Sequence, residues 1–193
     1  RRTWAAFQQV DDSYGNVGEL CRAVAARWVS AVQANGPQPA AFGAAYLKLR
    51  LADPFGCFDT GAVETAMGTA ALARFRQKLQ EAWRQAKDEV LAHRQAVGGR
   101  SASKYMAALH DMYSLSDGAQ LFTLEWMHLQ QLEAQGDVEA ALAVLKEDLN
   151  TGTDHVRVVQ FLEQHGRIRD AFAHAEAALK AFPDDWQVQD CVL

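Results

Sequence analysis

The segments EAQGDVEAALAVLKEDL (133–149) and EQHGRIRDAFAHAEAAL (163–179) align at an offset of 30 residues. Glu133/Glu163, Gly136/Gly166, Ala141/Ala171, Ala143/Ala173 and Leu149/Leu179 are identical, and Val138/Ile168 and Leu142/Phe172 keep apolar character. A glycine that ends one helix, followed by an alanine-rich second helix, is what a tightly packed helical hairpin needs. Ala141 and Ala171 are expected to face the first helix of each hairpin. Repeated hairpins stack into an α–α solenoid, because each unit covers its neighbour's apolar face. Two units are few for such an array, so the preceding helices are expected to complete it. FPDDW at 182–186 restarts the pattern: Pro183 stops one helix, the aspartates cap the next, and Trp186 lies inside it.

Helical periodicity dominates upstream as well, and no segment combines strict alternation with β-branched enrichment. Leu20, Val24, Trp28 and Val32 recur every four residues over 16–34, and NGPQP at 35–39 ends that helix. Phe42, Ala45, Tyr46 and Leu49 share a face over about 40–52, closed by DPFG at 53–56. Leu72, Phe75, Leu79, Ala82, Trp83, Ala86 and Val90 mark one long helix over about 68–96. A shorter helix is expected at about 102–115, and SDG at 116–118 separates it from another at about 119–134. The expected organisation is an N-terminal helical region, 1–116, followed by the hairpin repeats, 117–193, packed as one continuous domain.

These blocks resemble a bacterial family of helical-repeat proteins of unknown function. The resemblance rests on the order VDDSYGNVGEL, LADPFGCFDT, ALARFRQKLQEAW, QGDVEAALAVL and HGRIRDAFAHAEAAL. That family includes segments that follow SWIM-type zinc fingers in longer chains. The resemblance implies an all-α, tetratricopeptide-like array used for interaction. The CxC and CxH ligand pairs of the zinc-finger members do not occur here, so no metal site carries over.

The residue patterns that carry common chemistries do not assemble. Read as a calcium loop from Asp11, the stretch VDDSYGNVGEL puts Gly15 where a ligand belongs and Arg22 where a bidentate Glu belongs; the register from Asp12 fails too. The stretch reads better as a corner between helices. Asp59 or Thr60 in CFDTGAVE is expected to cap the next short helix. Cys21, Cys57 and Cys191 form no metal-ligand spacing, and the six histidines include no HExxH. No GxGxxG or GxxxxGK[ST] occurs, and Cys57 has no histidine near it in sequence to act as base. No catalytic residue, cofactor or metal is expected. His165 is expected to favour the C-terminal end of its helix, and His174 to pack half-buried beside Ile168, Ala171, Phe172, Ala175 and Leu179.

The net charge of −5 is unevenly spread: residues 1–100 carry 13 Lys/Arg against 9 Asp/Glu, whereas the remainder carries 6 against 15. An acidic second half argues against nucleic acid there. Charges break every apolar run before the roughly 18 residues of a membrane span. The opening RRTWAAFQQV has no initiator Met and no signal-peptide h-region, as expected of a segment of a longer cytoplasmic protein. The leading expectation is a non-catalytic module that binds a protein or peptide. Arg157 and Gln160 would then lie on its inner wall, opposite Val156, Val159 and Leu162. The alternative is a nucleic-acid-associated domain using Arg76, Arg84, Lys87 and Arg94 on one flank of the long helix. A third is an enzyme with residues scattered in sequence.

Overall fold

A computed structural model describes residues 16–53, 56–58, 60–97 and 116–191. The helix expected at 102–115, the corner residues 10–15 and Asp59 lie outside these. The described residues are all-helical: α1 (Asn16–Ala34), α2 (Ala40–Leu51), α3 (Thr60–Val97), α4 (Ser116–Ala134), α5 (Val138–Lys146), α6 (Gly152–Gln164), α7 (Ile168–Ala181) and α8 (Trp186–Asp190). Ser116, Asp117 and Gly118 form the first turn of α4 rather than a separate loop. The chain forms two compact units that divide inside α4, between His128 and Leu129.

In the first unit α3 packs against α1 and α2. Gly43 of α2 sets how closely. A Cβ there would overlap the Ala71 carbonyl oxygen and lie 2.7 Å from the Phe75 nitrogen, so backbone meets backbone. Around that contact Tyr46 and Phe75 meet at 5.3 Å between centroids, and Trp28 stacks on Phe42 at 5.8 Å and takes the edge of Phe58 at 5.2 Å. The long helix breaks where its reading from sequence begins: Gly68 has φ 77° and ψ 168°. That conformation frees the Met67 carbonyl, which accepts from the Gln38 N–H at 2.9 Å, and brings Pro37 against the glycine. An L-residue there would suffer both the positive φ and the proline.

The buried stripe of α1 keeps only half of the one that its large residues outline: Val32 is buried and Trp28 stacks on Phe42 and Tyr46. Leu20 and Val24 stay exposed, while Cys21, Ala25, Val29 and Val32 are buried. Small side chains at the contact let the helix come close, and Leu20 and Val24 are turned to its edge.

In the second unit α6 packs against α5, α7 and α8, and α8 also touches α7. Ala141, Leu142 and Leu145 of α5 share a core with Val158, Val159, Phe161 and Leu162 of α6 and with Ala171 and Ala175 of α7. The repeat seen in sequence is reproduced at its turns. Gly136 and Gly166 have φ of 74° and 71°. Gly136 N–H donates to Glu133 O at 2.8 Å and Asp137 N–H to Leu132 O at 2.9 Å; Gly166 donates to Glu163 at 2.9 Å and Arg167 to Leu162 at 2.8 Å. This paired bonding satisfies the last carbonyls of each helix and requires a residue in the left-handed region. The preceding side chains match as well: Gln135 Nε2 donates to Gln131 O at 2.6 Å, and His165 Nδ1 to Phe161 O at 2.8 Å.

Two substitution tests follow from these contacts. Nothing lies within 4 Å of a Cβ built on Gly136 or Gly166, so replacement by Ala costs only the positive φ. Each of Gly136→Ala and Gly166→Ala is expected to lose roughly 1–2 kcal/mol in urea unfolding, by similar amounts if the turns are equivalent. Gly43→Ala is expected to cost about 1–3 kcal/mol or more, because the groups it meets are backbone and cannot rotate aside.

Candidate functional site

Polar side chains join separate helices of the second unit. Thr151 caps α6 and completes a capping box with Asp154, whose carboxylate accepts from the Thr151 N–H at 2.9 Å. Asp185 caps α8 by accepting from the Gln187 N–H at 3.0 Å, and Thr153 Oγ1 bonds the Gln187 side chain at 2.8 Å, tying α8 to α6. Arg167 in the second turn bridges Asp170, at 2.8 Å, and Glu139 of α5, so the second hairpin is clamped to the first. Glu133 Oε1 and His165 Nε2 lie 3.5 Å apart, a contact between the two turns that is an ion pair only when the imidazole is protonated, since Nδ1 donates to Phe161 O.

A histidine pair crosses from α6 to α7: His155 Nδ1 and His174 Nε2 are 3.1 Å apart, and Phe182 lies 5.3 Å from the His155 ring. One imidazole donates to the other, so at least one nitrogen of the contact must be unprotonated. Burial, then His155, then Lys146, push the His174 pKa below its ordinary value. The sequence reading placed His174 half-buried, as it is, but missed its partner 19 residues away. A spacing of that size on two helices carries no periodic signal.

The residues expected on the inner wall of the array are placed as follows. Gln160 is exposed and Arg157 half-buried on α6, while Val159 and Leu162 are buried and Val156 is half-buried. Val158 and Phe161, which the reading of this face left out, are buried with them.

The alternative basic flank lies on α3. Arg84 is exposed, Arg76 and Lys87 are half-buried, and the Arg94 side chain lies outside the described residues. The Lys87 ammonium sits 5.3 Å from the centre of the Trp83 ring. Trp83 is itself buried against His128, at 4.8 Å between centroids. Elsewhere on the helix surface Lys78 pairs with Glu81, and Gln85 with Glu89, so the field is of mixed sign.

The three cysteines are free. The Cys57 thiol is pushed up by burial and then by Asp53, which lowers its thiolate fraction and with it its nucleophilicity. Among the described residues no group of three or more His, Cys, Asp or Glu is placed to hold a metal ion. No helix among them is long and apolar enough to cross a membrane.

Residues 3–189 match the model of a family of unknown function, DUF6880. The chain belongs to that family. No curated protein and no solved structure matches it.

The histidine pair generates a pH prediction. The unfolded chain takes up a proton near the ordinary His pKa of 6.5, whereas folded His174 resists it, so the contribution of His174 is present above that value and lost as pH falls below it. The urea midpoint is expected to fall between about pH 7 and pH 5, and to fall less in His174→Gln, which can still bond His155. An equal fall in both proteins would assign the effect to other groups.

Proposed function

We propose that the chain is a helical-repeat module for protein–protein interaction, a tetratricopeptide-like α–α array that holds a partner rather than transforming it. The observation that carries this reading is the pair of equivalent turns at Gly136 and Gly166, with α6 packed between the helices that follow them. Units built alike and stacked by their apolar faces leave an extended surface of outward side chains, the kind of surface that repeat proteins use to bind. Free cysteines agree with a reducing bacterial cytoplasm, and a segment of this kind suits a longer protein in which another domain, such as a SWIM-type zinc finger, supplies the chemistry. On this reading Arg157 and Gln160 of α6 belong to the binding wall.

The second reading, nucleic-acid association through Arg76, Arg84 and Lys87, is weakened by the acids interspersed on α3 and by the engagement of Lys87 with Trp83. The two readings separate in one experiment. Wild type, Arg157→Glu and Gln160→Lys are compared by pull-down with mass spectrometry, with circular dichroism to confirm folding, and wild type is titrated with single- and double-stranded DNA and RNA over a range of salt. The expected outcome is a protein partner retained by wild type and depleted by both variants, with no nucleic-acid binding at physiological salt. Retention of the partner by both variants, together with binding that weakens steeply with salt and is lost in an Arg84→Glu/Lys87→Glu double variant, would reverse the ranking.

A further inference from the structure

One side chain near the start of α6 reaches two points on α7. His155 Nδ1 lies 3.1 Å from His174 Nε2, and the His155 ring lies 5.3 Å from that of Phe182, the residue that caps α7. The Phe182 carbonyl accepts from the Asp185 N–H at 3.2 Å, so the same corner carries the turn into α8. Both imidazoles are half-buried, and their rings stack at 5.1 Å between centroids.

Counting protons shows when this contact holds. Two neutral imidazoles carry two protons on four ring nitrogens, and one of the two lies between the rings. A first added proton leaves the contact intact: His155 Nε2 and His174 Nδ1, which point away from it, hold one each, and the third stays between Nδ1 and Nε2. A second added proton fills all four nitrogens. Two N–H groups then face each other across the contact with no acceptor between them, and two like charges repel.

The charged groups on the surrounding helices do little to offset that second charge. Lys146, at the end of α5, adds a further cation. Asp154, beside His155 on α6, accepts from the Thr151 N–H and hydroxyl. Asp185 of α8, whose carboxylate lies against Gly152, accepts from the Gln187 N–H. Asp170, one turn before His174 on α7, is paired with Arg167. Each carboxylate is committed to a cap or an ion pair of its own.

We propose that the His155–His174 contact is a proton-operated latch, which holds the start of α6 to the C-terminal half of α7 while the pair is neutral or singly charged, and opens when a second proton arrives from solvent. Opening frees the His155 ring from Phe182 and loosens the end of α7 and the turn into α8. The latch thus places acid sensitivity in one protonation step and one junction, and it is independent of what the chain binds.

The test is imidazole and amide NMR on the whole 193-residue chain, titrated from about pH 8 to about pH 4.5, with circular dichroism to follow the fold. In wild type, His155 and His174 are expected to titrate as a coupled pair in two steps at least about one pH unit apart, with the amides of residues 174–190 moving chiefly at the second. In His155→Gln and in His174→Gln the remaining imidazole is expected to take its proton in one step, and the second amide transition is lost, because the Gln carbonyl can accept from a charged imidazole and the contact survives. Independent one-step titration of both histidines in wild type overturns the latch, as does an amide transition that persists in both variants. Should one variant fail to fold, the other decides.

Discussion

Helix backbones in this chain meet across positions that carry a methyl, a thiol or nothing. In the first unit Gly43 brings the turn around it onto the Ala71–Phe75 turn of α3, and Cys21 and Ala25 occupy the buried stripe of α1. In the second, Ala141, Ala171, Ala175 and Ala178 are buried at 2% exposure or less. Close approach increases the number of dispersion contacts and lets modest helices, such as the 9-residue α5, hold position by packing rather than by their own helical propensity. It also dictates where the large residues go. Tyr46, Phe75, Trp28 and Phe42 form a rim around the Gly43 contact, and Val158, Phe161 and Leu162 fill the spaces beside the alanines.

The punctuation of the fold was legible because glycine and proline act locally. NGPQP, Gly136 and Gly166 stand at the helix ends expected of them, whereas SDG at 116–118 is the first turn of α4 and the positive φ of Gly68 falls inside α3; α1 and α2 begin at the residues read from sequence. What was not legible depends on distance of approach. A period of four through Leu20 and Val24 identifies a helix and its apolar side, but the helix turned by one residue to bury Cys21 and Ala25. The same ambiguity hid the fate of Phe172. Its sequence match to Leu142 is sound, and the helical position is the same, yet Leu142 is buried and Phe172 exposed, because burial is decided by what packs over a face and not by the period of the helix that carries it.

The candidate site was legible in the same uneven way. Arg157 and Gln160 fall on the side of α6 away from Val159 and Leu162, as a helical wheel requires, but Phe161 is buried close beside Arg157 on that wheel and narrows the polar face. The His155–His174 contact could not be read from spacing, because it depends on how α6 and α7 are set against each other. Arg167 falls in the same class: its sequence position is a turn, and only packing shows that it spans from Asp170 to Glu139. Long-range polar contacts of this sort follow the fold and leave no trace in the periodicity that encodes it.

The two copies of the repeat share one template and differ in one face. Its turns and alanines are conserved between the copies because they determine how a hairpin closes, and those positions are buried or conformationally restricted in both. The positions that differ in outcome are Val138/Ile168 and Leu142/Phe172: Val138 and Leu142 join the core of the unit, whereas Ile168 and Phe172 are more than half exposed. Burying a side chain of this size is worth about 1.5–3 kcal/mol relative to leaving it in water, so the first copy converts that face into stability of the unit. In the second copy more than half of the Ile168 and Phe172 surface remains in water, and the corresponding free energy is still available to whatever covers it.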